Sequence, residues 1–199
     1  MNTSLYGKIA TLIFIIIFLI DMNTDYLKVT NMKKLKMNKI VFVLIALFVL
    51  FVIEYIEDFI TYNYLDDYLK KDEPPSPDCY QNSYYDAILA GVPEELVFRL
   101  LIFNVILIKY FKLGLTKSIL ISSVIFGLTH INQYISFGVN IYNTMGVIIQ
   151  AIFGGIIFAY IYANTNLTTV IVVHFLIDYI DFMFLRCNKS LYKKMLFIQ

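Results

Sequence analysis

Apolar residues run through this chain in six blocks divided by short polar stretches. The blocks cover about 5–20, 40–60, 85–108, 117–131, 141–162 and 168–185. Each is near the ~20 residues that a helix needs to cross a bilayer. Inside lipid only helices and closed barrels satisfy their own backbone groups, and the period-two alternation of a barrel strand is absent. The pattern predicts an all-α, polytopic transmembrane helical bundle of about six spans.

Details within the blocks refine this. The first carries Lys8 near its start, as a signal peptide would, but no small-residue cleavage site follows Ile20, so it is read as an uncleaved span. The second ends in Glu54, Glu57 and Asp58, which are expected at the membrane interface. Pro93 lies inside the third and removes a backbone donor. A kink or a fresh helix start is expected near Val92, and a fresh start would place Glu94 and Glu95 in a first turn, where the helix dipole favours anions. Gly146, Gly154 and Gly155 in the fifth block permit close helix approach.

The polar stretches give three regions: 1–83, with two helices and an acidic loop, 84–186, a core of four helices, and a basic tail at 187–199. Loop 61–83, with Pro74, Pro75 and Pro77, is the sharpest break in composition. Lys28, Lys33, Lys34, Lys36 and Lys39 in loop 21–39 fall on one side with Lys109, Lys112 and Lys117. The positive-inside rule makes that side cytoplasmic and loop 61–83 external, in a multi-pass protein of the cell membrane. Arg186, Lys189, Lys193 and Lys194 run against this bias, because six spans put them outside.

Composition agrees with a membrane class. The chain is 59% hydrophobic and 16% charged, with mean hydropathy +0.71; soluble domains carry about 25% charge. A net charge of +1 gives no reason to expect nucleic acid as a partner. Membrane lipid is the expected surround. Cys79 and Cys187 stand in no metal-ligand spacing and are read as two inert thiols rather than a pair.

Seven ionisable side chains nevertheless sit in three of the apolar blocks: Glu94, Glu95, Arg99, His130, His174, Asp178 and Asp181. Such groups cost roughly 2.5–3.5 kcal/mol each at bilayer depth, and persist where they face one another or a wet cavity. Glu95 and Arg99 are four residues apart, as helical ion pairs are, yet one adjacent carboxylate is then left over. A surplus buried carboxylate suits a general base. His174 and Asp178 also share a helix face, and an Asp there can fix a histidine's tautomer. Taken alone, Glu95 and Arg99 are better explained as a structural ion pair and His130 as a hydrogen-bonded histidine at a helix end, and His174 with Asp178 also fits a polar interhelical clamp. Both histidines of the chain occurring in such settings favours one shared site.

Glu94-Glu95-x-x-x-Arg99, Phe126-x-x-x-His130 and His174-x-x-x-Asp178, in this order on successive apolar helices, resemble the three motifs of the CPBP family of CAAX proteases and bacteriocin-processing proteins. The resemblance covers roughly 86–185. It implies an intramembrane endopeptidase on an all-helical core, acting on a peptide or membrane-protein substrate. By that likeness Glu94 activates a water, His130 holds it or ligates a metal, His174 and Asp178 stabilise the oxyanion, and Arg99 orders the two glutamates. The family is described both as metal-dependent and as glutamate-based. If a divalent metal such as zinc is the cofactor, Glu94, His130 and His174 are the implied ligands, but no HExxH signature is present. Leu100 stands where the family often has Gly, and Asp178 where Asn is also common. An ionised Asp cannot donate to an oxyanion, so Asp178 would be protonated or would orient His174.

The Ile-, Lys- and Asn-rich composition points to an A+T-rich bacterial source, where prenylated substrates are not expected. Leader peptides, signalling peptides and bacteriocin precursors remain as substrates. Two other classes stay open: a non-catalytic membrane scaffold or immunity protein, and a small transporter using the same Glu/His/Asp cluster.

Overall fold

The computed structural model describes residues 3–23, 27, 29, 37–65, 76–132 and 140–198. Most of loop 21–39 and residues 66–75 of the acidic loop, with Pro74 and Pro75, lie outside the described residues. All six apolar blocks are helical: α1 (Thr3–Asn23), α2 (Lys39–Ile60), α3 (Cys79–Glu94), α4 (Leu115–Thr129), α5 (Ile141–Asn164) and α6 (Leu167–Cys187). A short α7 (Lys189–Met195) follows. No strand occurs among the described residues.

Asparagine starts three of the long helices. Asn38, Asn140 and Asn166 accept, through their side chains, from the backbone N–H groups of Ile40, Tyr142 and Thr169, at 2.8–2.9 Å. Each bond satisfies a donor that the first turn of a helix cannot pair internally. Lys39–Tyr64, Ile141–Asn164 and Leu167–Cys187 are long and apolar enough to cross a membrane, and α4 is a shorter apolar helix. α2 is peripheral and turns Ile40 and Phe48 outward, at 70% and 69% exposure. That surface suits lipid rather than water. α5 is central and buries Ile148, Ala151, Phe158, Ala159 and Ile161.

The core forms where α3 packs on α6 and α1, and α4 on α5. α1 is fastened to the start of α6 through Asp21, a buried residue whose carboxylate accepts from the Thr168 backbone N–H at 2.6 Å and its hydroxyl at 2.7 Å. The anion thus meets the positive end of the α6 dipole.

Pro93 starts no new helix. The chain continues from α3 directly into a π-helical stretch, Glu95–Tyr110, so Glu94 and Glu95 sit mid-helix, away from any helix N-terminus. π-helices are rare and are usually single turns. Here the wider register begins two residues after the proline whose missing N–H breaks the ordinary ladder. It ends with the Phe111 N–H bonded to the Ile106 carbonyl at 2.9 Å.

The two cysteines are not separate inert thiols. Cys79 opens α3, Cys187 closes α6, and a disulfide joins them with Cα atoms 5.5 Å apart. Sequence spacing could not indicate this pair, because 108 positions separate it. Beside it Arg186 pairs with Asp86 at 2.5 Å. α3 and α6 are therefore clamped at one end.

Close packing sets the sharpest constraint between α4 and α5. A Cβ at Gly127 would lie 2.8 Å from the Ile148 carbonyl oxygen, whereas one at Gly154 would meet only side-chain atoms at 3.9 Å. Gly127→Ala is expected to destabilise the fold by about 1–3 kcal/mol, seen as a lower melting temperature in detergent. Gly154→Ala is expected to be neutral or to stabilise by up to ~1 kcal/mol through helix propensity. Equal melting temperatures for the two variants would contradict this packing.

Candidate active site

The π-helical turn after Pro93 points two adjacent glutamates in different directions. Glu95 has no exposed surface. Its Oε2 lies 3.0 Å from Arg99 Nε and its Oε1 is 2.8 Å from His174 Nδ1. One carboxylate therefore joins the motif on α3 to the motif on α6. Glu94 is 33% exposed, and its Oε2 lies 3.8 Å from His174 Nε2. Asp178, one helical turn after His174, places Oδ2 at 3.5 Å from the same nitrogen. With Nδ1–H donated to Glu95, His174 turns Nε2 toward Glu94 and Asp178.

Aromatic rings enclose this cluster. Phe158 of α5 stacks on the His174 imidazole, with centroids 4.5 Å apart and planes at 21°. The Arg99 guanidinium lies 4.6 Å from the Phe126 centroid and 5.5 Å from that of Phe158. No hydrogen-bond acceptor among the described residues reaches its Nη1 or Nη2. The cation is held by one carboxylate and two π faces, interactions that strengthen when water is absent.

The structure thus brings Glu94, Glu95, Arg99, His174 and Asp178 into one contact network. His130 is only partly joined to it. It caps α4 with its ring edge-on to Phe126, at 5.2 Å between centroids, and its Nδ1 is 3.2 Å from the Phe126 carbonyl oxygen. It lines the same cavity as Glu94 and His174, a space of about 370 Å³. Glu94, His130 and His174 do not bring ligand atoms within 4.8 Å of one another. These residues, as arranged, do not form a three-ligand metal site.

The cavity has a second wall that sequence reasoning missed. Glu54, Glu57 and Asp58 of α2 face it rather than the membrane interface, together with Asp181 of α6. Ligand oxygens of Glu54, Asp58 and Asp181 lie within 4.8 Å of one another. Gln150 donates to Glu54, and the Tyr192 phenol of α7 bonds Asp58 and, at 3.0 Å, Asp181. Burial and the Asp181 and Asp58 charges push the Tyr192 phenol up, so it remains a donor. The available signal was spacing. Positions 54, 57 and 58 fall on one helix face, which an interface reading leaves unexplained.

Residues 80–180 match the family described as type II CAAX prenyl endopeptidase Rce1-like. That segment is half of the chain and contains all three motifs, and the chain belongs to this family of CAAX-type membrane proteases. The match bears out the resemblance carried by the motifs. No curated protein and no solved structure matches the chain.

Removing one partner of a buried ion pair strands the other charge, at a cost of about 3–5 kcal/mol. Arg99→Leu is therefore expected to destabilise severely, because it leaves Glu95 unpaired on its Oε2 side. Adding Glu95→Gln to Arg99→Leu should recover part of the loss. Thermal unfolding of the single and double variants in detergent measures both. Additive destabilisation would contradict the pairing.

Proposed function

We propose that this protein is an intramembrane endopeptidase of the glutamate type, in which Glu94 activates the attacking water. The observation that carries the reading is the division of labour between the two glutamates. Glu95 is held closely by Arg99 and His174, while Glu94 makes only the longer 3.8 Å approach to His174 and faces the cavity. The surplus carboxylate is the one a general base requires.

In this reading a peptide segment enters the cavity near the bilayer surface. Glu94 removes a proton from a water held between it and His130. The oxygen forms a bond to the scissile carbonyl carbon, and the carbonyl electron pair moves onto its oxygen. His174, anchored at Nδ1 by Glu95, presents a protonated Nε2 to that oxyanion. Asp178 accepts from the same N–H at rest and keeps the ring aimed at the cavity. The tetrahedral intermediate collapses, the C–N bond breaks, and the Glu94 proton passes to the leaving nitrogen. The roles of general base and general acid thus fall to one side chain in sequence.

Leader peptides, signalling peptides and bacteriocin precursors are the substrates we favour. The family name refers to prenylated chains; the cavity is lined by Leu50, Phe126 and Phe158 beside its polar groups, an apolar surface that suits an apolar side chain of a peptide. A second reading, a small carrier of protons or cations, draws on the acidic wall formed by Glu54, Asp58 and Asp181. It predicts ion flux in proteoliposomes with peptides left intact.

Glu94→Gln is expected to lower peptide cleavage by ~10²–10⁴ with the melting temperature unchanged. Gln keeps the shape and can hydrogen-bond but takes no proton from water at neutral pH. Full turnover in this variant would remove Glu94 from the mechanism. Treatment of the detergent-purified enzyme with EDTA or 1,10-phenanthroline is expected to leave cleavage unchanged. Loss on chelation, with recovery on adding zinc, would replace the glutamate mechanism by a metal-dependent one.

A further inference from the structure

We infer that the cavity opens on the oxidising, non-cytoplasmic face of the membrane, so that its substrate is a peptide already carried across the bilayer. This rests on the endopeptidase reading for the word substrate, but the direction of opening stands on observations independent of catalysis.

The first observation is covalent. Cys79 and Cys187 form a disulfide. Structural disulfides persist in oxidising compartments and are rare in the cytosol, where thiols are kept reduced. The bond therefore marks the end of the bundle that faces away from the cytosol.

The second is the path of the chain. The start of α3 and the end of α6 meet at the disulfide. The end of α2 lies at the same end, because α7, which directly follows α6, packs on it. Tyr55 donates to the Met195 carbonyl, Asn63 donates to that of Leu196, and Tyr192 reaches Asp58. The cavity extends to this end. Glu57 and Asp58 line it from the last turn of α2 and Tyr62 from just beyond it, and Asp181 and Phe182 from the last two turns of α6. At its other limit, Phe158 and His174 lie six and seven residues short of the opposite ends of α5 and α6. The cavity is thus a well whose floor is within the bilayer and whose mouth is beside the disulfide.

Charge leaves the choice to the disulfide. Lys39, Lys109, Lys112 and Lys117 belong to the opposite end of the bundle, at the start of α2, the end of the π-helical stretch and the start of α4, while Lys8, Arg186, Lys189, Lys193 and Lys194 belong to the disulfide end. The positive-inside rule does not separate two ends so evenly charged, and the covalent bond decides the direction. The basic segment after Cys187 is fixed to the outer end by the bond and by α7.

A cytosolic chain terminus would not reach a mouth on this face. A secreted precursor, or the external juxtamembrane segment of another membrane protein, would.

The test has two arms. In intact cells, a membrane-impermeant maleimide–polyethylene glycol reagent should leave the protein unshifted on a gel. After a membrane-impermeant phosphine reductant it should add two reagent masses, one each at Cys79 and Cys187. The variant Tyr62→Cys, with the disulfide intact, should add one mass from outside without reductant. Labelling of any of these only after permeabilisation would overturn the proposal. In the second arm, sealed right-side-out and inside-out membrane vesicles are given an impermeant mixture of quenched fluorescent peptides. Cleavage confined to right-side-out vesicles, and lost in Glu94→Gln, supports the proposal. Cleavage confined to inside-out vesicles overturns it. Absence of cleavage in both, with labelling from outside, overturns the peptidase reading and its substrate while upholding the direction of opening.

Discussion

The site depends on one carboxylate in a dry place. Glu95 has no exposed surface and holds a guanidinium on one oxygen and an imidazole on the other. In a low-dielectric interior an unpaired charge is expensive, and a pair is tolerated only with close geometry on both sides. That requirement fixes the spacing of the π-helical stretch against α6, since Arg99 comes from the first and His174 from the second. It fixes the imidazole's orientation, because Nδ1 is committed. It also brings α4 and α5 to the site, because the Arg99 cation rests against Phe126 and Phe158 where no further acceptor reaches it. Four helices therefore converge for an electrostatic reason before any chemistry is considered.

Much of this was legible in the sequence, and the exceptions have physical causes. The six helices followed from apolar length alone. The expectation of one polar site holding Glu94, His130 and His174 followed from ionisable residues placed in apolar blocks; the structure puts Glu94 beside His174 and leaves His130 at the rim of the same cavity. The spacing of Glu95 and Arg99 announced their pair. What spacing could not give was which glutamate also met His174, because that contact joins residues 79 positions apart. Pro93 was visible as a break in the ladder, but the chain absorbed it by widening its helical register rather than by starting again. Propensity says that a backbone donor is missing, not how the neighbouring turns share the loss. The acidic residues of α2 were read as interfacial because charge near a span end usually is. Their inward turn depends on partners in α5, α6 and α7.

The segment that matches the family begins at residue 80, so α2 lies wholly outside it. The motif helices supply Glu94, His130 and His174 to the cavity, whereas α2 supplies Leu50, Glu54, Glu57 and Asp58 to the wall facing them. The wall that faces the matched segment is thus built by a helix outside it. In this chain that wall carries three carboxyl groups, those of Glu54, Glu57 and Asp58.

The disulfide encloses more than it clamps. Its two ends, at 79 and 187, bracket the entire matched segment, 80–180, within one covalent loop. A single proteolytic cut anywhere in that loop, such as between α4 and α5, leaves no fragment free to leave. Both halves of the candidate active site stay attached through sulfur, held additionally by the lateral packing of their helices. The matched segment is in this way made tolerant of a single nick in its backbone.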